Sequence, residues 1–437
     1  MALRFALALL LAVPASAADL RIENVRLDLA SRDTSANTIA VTFDVHLEDS
    51  WREGESWDAV WMFAGFEREP GVWGDLRFTP NGHAFTSSTD LALTPSLLPA
   101  GHARGLLLHR AADGRGDLRA SVRALWTPGA SFFDLPEAGV AVRVHGVELV
   151  RVPGGAFTVG GSEEPNAFRA GSGGPFEIAR EGAIPVADSA GTLFYDVPEG
   201  EAYAGGDQRG PIPATFPSGF GAFYAMKYPI LQGQYAAFLS ALQPRARAAR
   251  NVSIATDYTE TGGTITCGSV NCEAALPSRA AAHLTWADGI GWASWAGLRP
   301  MTELEYEKAA EGTPADSARY ADGSPPDRAD QSGRASRWGA VDLRGGLWER
   351  VVTVGTREGR SYRGSPGQGF VDDAGLPYAF ANLDWPGARA VGSGYRGGTE
   401  GLLGLSEVTD RTYGAYEATY GNQSQGFRCV LDAPSAP

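Results

Sequence analysis

The sequence predicts an α+β protein in two parts, an N-terminal β-sandwich followed by an irregular unit of short helices and strands. Three observations carry this. Thr38 to Leu47 alternates, with Ile39, Val41, Phe43, Val45 and Leu47 on one side and Thr42, Asp44 and His46 on the other, the pattern of a strand with one buried face. Further on, Tyr235, Phe238, Leu239 and Leu242 follow the i, i+3, i+4, i+7 spacing of a helix with one buried face. Throughout, 56 glycines and 27 prolines in 437 residues suit a fold rich in turns.

This length admits two or three domains, and 43% hydrophobic with 10% aromatic residues is enough for substantial cores. The formal charge is −14 and no long basic run occurs, so the composition excludes a nucleic-acid or anionic-membrane footprint. Residues 1–17 carry Arg4, the apolar run Phe5 to Val13 and then Ala15-Ser16-Ala17, which reads as a secretory signal with a small-residue cleavage site. No transmembrane segment is expected, and the destination is the periplasm, cell surface or medium. Of three cysteines, Cys267 and Cys272 are close enough in sequence for a disulfide in an oxidising compartment. Cys429 shares one face of a strand with Phe427 and Leu431, the setting of a buried, inert thiol.

The sandwich is expected over 18–146. Ala59 to Phe66 is apolar on both faces, as in a central strand, and Leu106 to His109, Ala120 to Leu125 and Val140 to Val144 are further extended runs. Trp51, Trp57, Trp61 and Trp73 crowd this region; core packing is expected over a sugar-stacking platform. From Val147 a hairpin is expected, Pro153-Gly154-Gly155 turning the chain back toward Phe157. Ser162 to Gly221 reads as a glycine- and proline-rich surface excursion. Phe223 to Pro229 leads into the first helix, which starts at Leu231 without a polar cap and stops at Pro244. A second helix has Thr285 and Asp288 as its capping box, a stripe of Trp286, Ile290, Ala293 and Ala296, and Gly297 at its end. In the third, Thr302 and Glu305 make a capping box and Met301 and Tyr306 a hydrophobic staple, with Gly312 and Pro314 as the stop.

Residues 147–432, ahead of a tail at 433–437, resemble the formylglycine-generating enzyme, or sulfatase-modifying factor, family. The resemblance is carried by Val147 to Gly161, Tyr228-Pro229 to Tyr235, Gly297 to Ala310, Gly339 to Glu349, Tyr395-Arg396-Gly397-Gly398 and the closing Gly426-Phe427-Arg428. The resemblance implies an irregular, C-type-lectin-like fold. It also implies a pair of cysteines after Arg-Gly-Gly that binds copper(I), since two thiolates suit that soft ion. Here Thr399 to Arg411 contains no cysteine, and Leu402 stands near the first ligand's place. Copper is therefore not expected. A structural calcium is the cofactor the family admits; Glu349 is retained for it, but Gly346 replaces the family's asparagine and Arg350 its second tryptophan. Asp330 and Asp342 are further oxygen donors nearby or, equally, turn caps. The six histidines make no closely spaced helical ligand set.

The expectation is an exported, non-catalytic sulfatase-modifying-factor-like protein that binds a protein or glycan through the loops of its C-terminal unit. Tyr413, Tyr416, Tyr420, Asn422 and Gln423 give the aromatic and amide mix that recognition surfaces favour. The alternative is a formylglycine-type oxidase or a related metal-dependent oxidoreductase with other ligands.

Overall fold

Period-two alternation builds the N-terminal half. The computed structural model describes residues 20–128, 140–161, 166–196, 209–313, 335–378, 382–398 and 407–434; the expected signal segment, Pro314, Asp330 and Leu402 lie outside them. The first strands are β1 (Leu20–Asp33), β2 (Thr38–Glu53), β3 (Ser56–Glu69), β4 (Val72–Leu76), β5 (Ala84–Thr86), β6 (Leu91–Leu97), β7 (Ala103–Arg110), β8 (Gly114–Trp126) and β9 (Val142–Val152). β1, β2, β8 and β5 form one layer. β9, β3, β7 and β6 form the other, with β4 on the end of β3. β2 and β3 pair only at their shared hairpin end, where Arg52 faces Trp57 and Glu53 faces Ser56, so the layers fold over each other. Ile39, Val41, Phe43, Val45 and Leu47 meet Val60, Met62, Leu106 and Leu108 in the core between them.

β3 is apolar on both faces for a reason found in the second half of the chain. Its other face, Ala59, Trp61 and Phe63, packs with Leu107, Val147 and Leu149 into the core of the C-terminal unit. Trp61 donates its indole N–H to the Ala296 carbonyl at 2.8 Å. Gly105 has to be glycine, because a Cβ there would stand 2.5 Å from the Trp61 ring. Trp57 is buried and donates to the Tyr224 hydroxyl at 3.2 Å. Trp51 and Trp73 are half-buried, Trp73 under Arg143 at 3.9 Å.

The C-terminal unit adds β10 (Phe157–Val159), β11 (Arg169–Ala170), β12 (Phe176–Ile178), β13 (Leu193–Phe194), β14 (Phe223–Met226), β15 (Ile265–Cys267), β16 (Cys272–Ala274), β17 (Arg299–Pro300), β18 (Trp348–Val352), β19 (Ser393–Arg396), β20 (Gln425–Phe427) and β21 (Cys429–Asp432). Its helices are α1 (Gln232–Ala241), α2 (Pro244–Arg250), α3 (Trp286–Ala296), α4 (Glu303–Ala309) and α5 (Arg357–Arg360). Strand order β17-β21-β14-β9-β3 carries the main sheet from one unit into the other. β9 pairs with β3 along its length, and from Leu149 to Val152 also with β14. The boundary expected at 146 therefore falls inside a strand.

Two sequence expectations are corrected. β10 does not return along β9; it pairs with β12. The Gly155 N–H instead donates to the Phe220 carbonyl at 2.8 Å, and β14 takes the edge of β9 that a hairpin would need. Nor are the described parts of 162–221 a surface excursion: Phe168, Ile178, Ile184, Leu193, Tyr195, Ile212 and Phe216 are all buried in the main core.

Helix starts follow the local chemistry. Thr285 accepts from Asp288 N at 3.1 Å while Asp288 accepts from Thr285 N at 2.8 Å, and Gly297 closes α3 at φ 72°. Pro244 ends α1 by becoming the first residue of α2, where its missing N–H costs nothing. At the start of α1, the Leu231 N–H donates to the Gln234 side chain at 3.0 Å, keeping half of a capping box. The Leu231 side chain is fully buried in the sandwich core, so apolar contact between the two units offsets the missing polar cap.

Candidate functional site: an aromatic face above a buried ion network

α4 carries the capping box expected of it, with Glu305 N to Thr302 Oγ1 at 3.1 Å and Thr302 N to Glu305 Oε2 at 3.0 Å. Its surroundings are unexpected, because Glu303, Glu305, Glu307 and Lys308 are all buried. Burial of charge is tolerated only with close partners, and arginines from distant segments supply them. Arg299 grips Glu305 through both oxygens at 2.9 and 2.7 Å. Glu303 accepts from Arg411 at 2.9 and 3.0 Å, Arg396 at 3.1 Å, Thr353 Oγ1 at 3.0 Å and Val354 N at 2.7 Å. Burial opposes ionisation of Glu303, but Arg411 and then Arg396 outweigh it and hold the carboxyl below the usual range. Arg396 also pairs with Glu307. The arginine of the Arg-Gly-Gly stretch is thus anchored inward, against α4.

β18, β19 and β20 make a three-stranded sheet over this network. Glu349 faces Arg396 in the register, while Arg350 faces Tyr395 and Trp348 faces Gln425. Alternation therefore sends Glu349 and Arg396 toward the network and Trp348, Arg350, Tyr395 and Gln425 to the opposite face. The segment 411–424 lies along that face, tied to β19 by Tyr395 N to Tyr413 O at 2.9 Å. Trp348 and Tyr413 meet edge-on with ring centroids 4.9 Å apart. Tyr413 and Tyr416 follow at 5.8 Å, then Tyr416 and Tyr420 at 6.5 Å. Tyr395 flanks Tyr416 at 6.1 Å. This ladder runs from the core outward: Trp348 and Tyr395 are buried, Tyr413 and Tyr416 half-buried, and Tyr420 is 51% exposed. Asn422 is half-buried and turns the chain through its Ser424 hydrogen bonds, and Gln423 is exposed. The five residues expected to bind are brought to one place. Trp348, Tyr395 and Arg350 belong with them; the one signal for them was the arginine standing where the family has tryptophan.

A groove of about 280 Å³ opens elsewhere, lined by Gly160, Gly161, Glu311, Arg344, Glu407 and Thr409 among others. Its charged walls are self-paired, Arg344 with Glu407 and Glu311 with Arg337 at 2.5 Å. Cys267 and Cys272 form a disulfide across the β15–β16 hairpin, which packs on α1 through Ser240 and Cys272. Cys429 is fully buried, and burial pushes its thiol well up.

The residues around Glu349 do not fit calcium. Both of its oxygens accept from Arg428, at 2.7 to 3.0 Å, and Arg428 continues to the carbonyls of Met226, Lys227 and Val341. A guanidinium already occupies the place of a cation. Among the described residues, no group of three or more His, Cys, Asp or Glu is placed to hold a metal. The histidines are dispersed: His283 sits at φ 64° with its ring against Thr261 at 2.9 Å, and His145 is buried against Phe63 and Trp295.

Residues 137–433 match the sulfatase-modifying factor enzyme 1-like domain. The match covers most of the chain and takes in all of β9, and the chain belongs to that family, whose domain has the C-type-lectin-like fold. No curated protein matches it. No helix among the described residues is long and apolar enough to cross a membrane.

Proposed function

We propose that this chain is an exported, non-catalytic member of its family. Its ligand, a protein or a glycan, binds through loops of the C-terminal unit at the face of Tyr413, Tyr416 and Tyr420, with Asn422 and Gln423 at the rim. The observation that carries the reading is the aromatic ladder, which begins in the core at Trp348 and ends on the surface at Tyr420. Rigid, amphipathic rings anchored below and presented above are the economical way to build a recognition surface. The cysteines support it further: two are joined to each other and the third is buried, so none of the three offers a free surface thiolate for copper(I).

Family membership favours one rival, a formylglycine-type oxidase. Copper(I) titration of the reduced, full chain, run beside an oxygen-uptake assay with a cysteine-containing peptide, separates the two. Neither tight stoichiometric copper nor oxygen uptake is expected. Copper bound at one equivalent and abolished by Cys267→Ser would replace this reading with the oxidase.

A further inference from the structure

Beneath the aromatic ladder lies a buried guanidinium with no carboxylate ion pair among the described residues. Arg350 is fully buried, yet no carboxylate among the described residues is within ion-pair distance of it. Its two terminal nitrogens donate to the carbonyls of Ala418 at 2.8 Å and Tyr420 at 2.6 Å. Its guanidinium carbon lies 4.5 Å from the centre of the Tyr395 ring. The carboxylate that bears on it electrostatically, Asp288, already binds Arg250 at 3.1 Å and Thr285. Burial lowers the pKa of Arg350, outweighing the opposing contributions of Tyr395, Asp288, Tyr420 and Tyr416. Every other deeply buried arginine of the network, Arg299, Arg396, Arg411 and Arg428, sits on a glutamate. Three buried polar atoms on this one sheet face have no hydrogen-bond partner: Arg350 Nε, the Tyr395 hydroxyl and Gln425 Oε1. Buried polar groups are normally satisfied, and here the guanidinium among them leaves a positive charge beneath the tyrosine surface with no carboxylate of the described residues to balance it.

We propose that the ligand of this face is an acidic saccharide, its anionic group held by the Tyr416 and Tyr420 hydroxyls over the positive charge of Arg350. The assignment rests on the binding role given to this face above. The two hydroxyls hydrogen-bond to each other at 3.3 Å on the exposed side of the ladder, and an anion seated between them would exchange that bond for one O–H donor from each ring. Hydrogen bonds to an anion are about twice as strong as neutral ones, and a buried guanidinium behind them adds attraction that water does not screen. The ring faces of Tyr416 and Tyr420 suit the C–H face of a pyranose, and the amides of Asn422 and Gln423 suit its hydroxyls. The formal charge of −14 would otherwise repel acids, so a local cation is what makes one acceptable.

An array of neutral, uronate-bearing and sulfated oligosaccharides, with a polyglutamate peptide beside them, tests this on the full chain. The uronate and sulfate arms distinguish the two sources of anion. Capture of one or both acidic sets is expected, with at least about tenfold weaker capture after the carboxyls are esterified or the sulfates removed. The double variant Tyr416→Phe/Tyr420→Phe keeps both rings and should lose about tenfold. Arg350→Met should lose at least as much; if it misfolds by near-ultraviolet circular dichroism, the tyrosine pair carries the test. Neutral sugars or the peptide bound equally well at this face would overturn the acidic-sugar assignment and leave the binding role standing. No probe bound, together with tight copper and oxygen uptake, would overturn both.

Discussion

Glu303 takes five donors from four residues, Arg411, Arg396, Thr353 and Val354, and is wholly enclosed. Removing its charge strands Arg411 in the interior and leaves Arg396 with Glu307 alone, and breaking a buried pair from one side costs about 3–5 kcal/mol. Glu303→Gln should therefore lower unfolding stability by that order in a urea titration; a loss under about 1 kcal/mol would mean that the arginines find water instead. Because its carboxyl is held below the usual range, the contribution is present above pH 4–5 and fades as pH falls through the folded value. Asp58 behaves oppositely. Burial raises its carboxyl from 3.8 to about 6, against hydrogen bonds from Trp51 N and Ser50. The native state keeps this proton after the unfolded chain has released it, so stability falls as pH rises from about 4 to 6 and stays lower above. Asp58→Asn should stabilise by up to about 3 kcal/mol at pH 8 and by nothing at pH 3.5; equal gains at both would refute the assignment. Tyr413, Tyr416 and Tyr420 were legible in the sequence as aromatics in a polar loop. Arg350 and Tyr395 were not, because their meaning depends on the β18–β19 register, which distant chain segments set.

At the scale of elements, capping chemistry was readable and surroundings were not. Thr285-Asp288 and Thr302-Glu305 announce α3 and α4 by spacing alone. The run Glu303 to Lys308, however, has the composition of a solvent-facing helix and lies inside, since its partners arrive from β17, β19 and Arg411. The glycine turn after β9 failed as a hairpin for a similar reason: a turn permits a return strand, but a strand from further along the chain, β14, takes that edge of β9. Leu231 separates local from long-range control most sharply. Restoring a cap with Leu231→Thr would gain about 1 kcal/mol, whereas emptying a fully buried leucine site costs about 2–5 kcal/mol. A net loss of about 1–3 kcal/mol is expected by thermal unfolding; a rise in Tm would show that the cap outweighs the contact.

For the whole molecule, the α+β class, the sandwich strands and the family's C-terminal unit could be read from alternation and motifs, but not the way they join. β9 serves the sandwich through β3 and the second unit through β14. Trp61, Phe63 and Trp57 seal the flank between them. Calorimetry should accordingly give one unfolding transition with equal calorimetric and van't Hoff enthalpies. Two resolved transitions would mean that the seam contributes little.

That shared strand also imposes an order on biosynthesis. The ribosome releases β9 long before β14, and the last strand of the main sheet, β21, arrives only at Cys429–Asp432. Until then a finished sandwich must carry a bare tryptophan-rich flank and an open strand edge, the features that make a nascent chain adhere to its neighbours. A holdase or a pause in elongation near residue 150 would shield it, and nonsense truncations short of β21 should accumulate as aggregates rather than as a free N-terminal fragment.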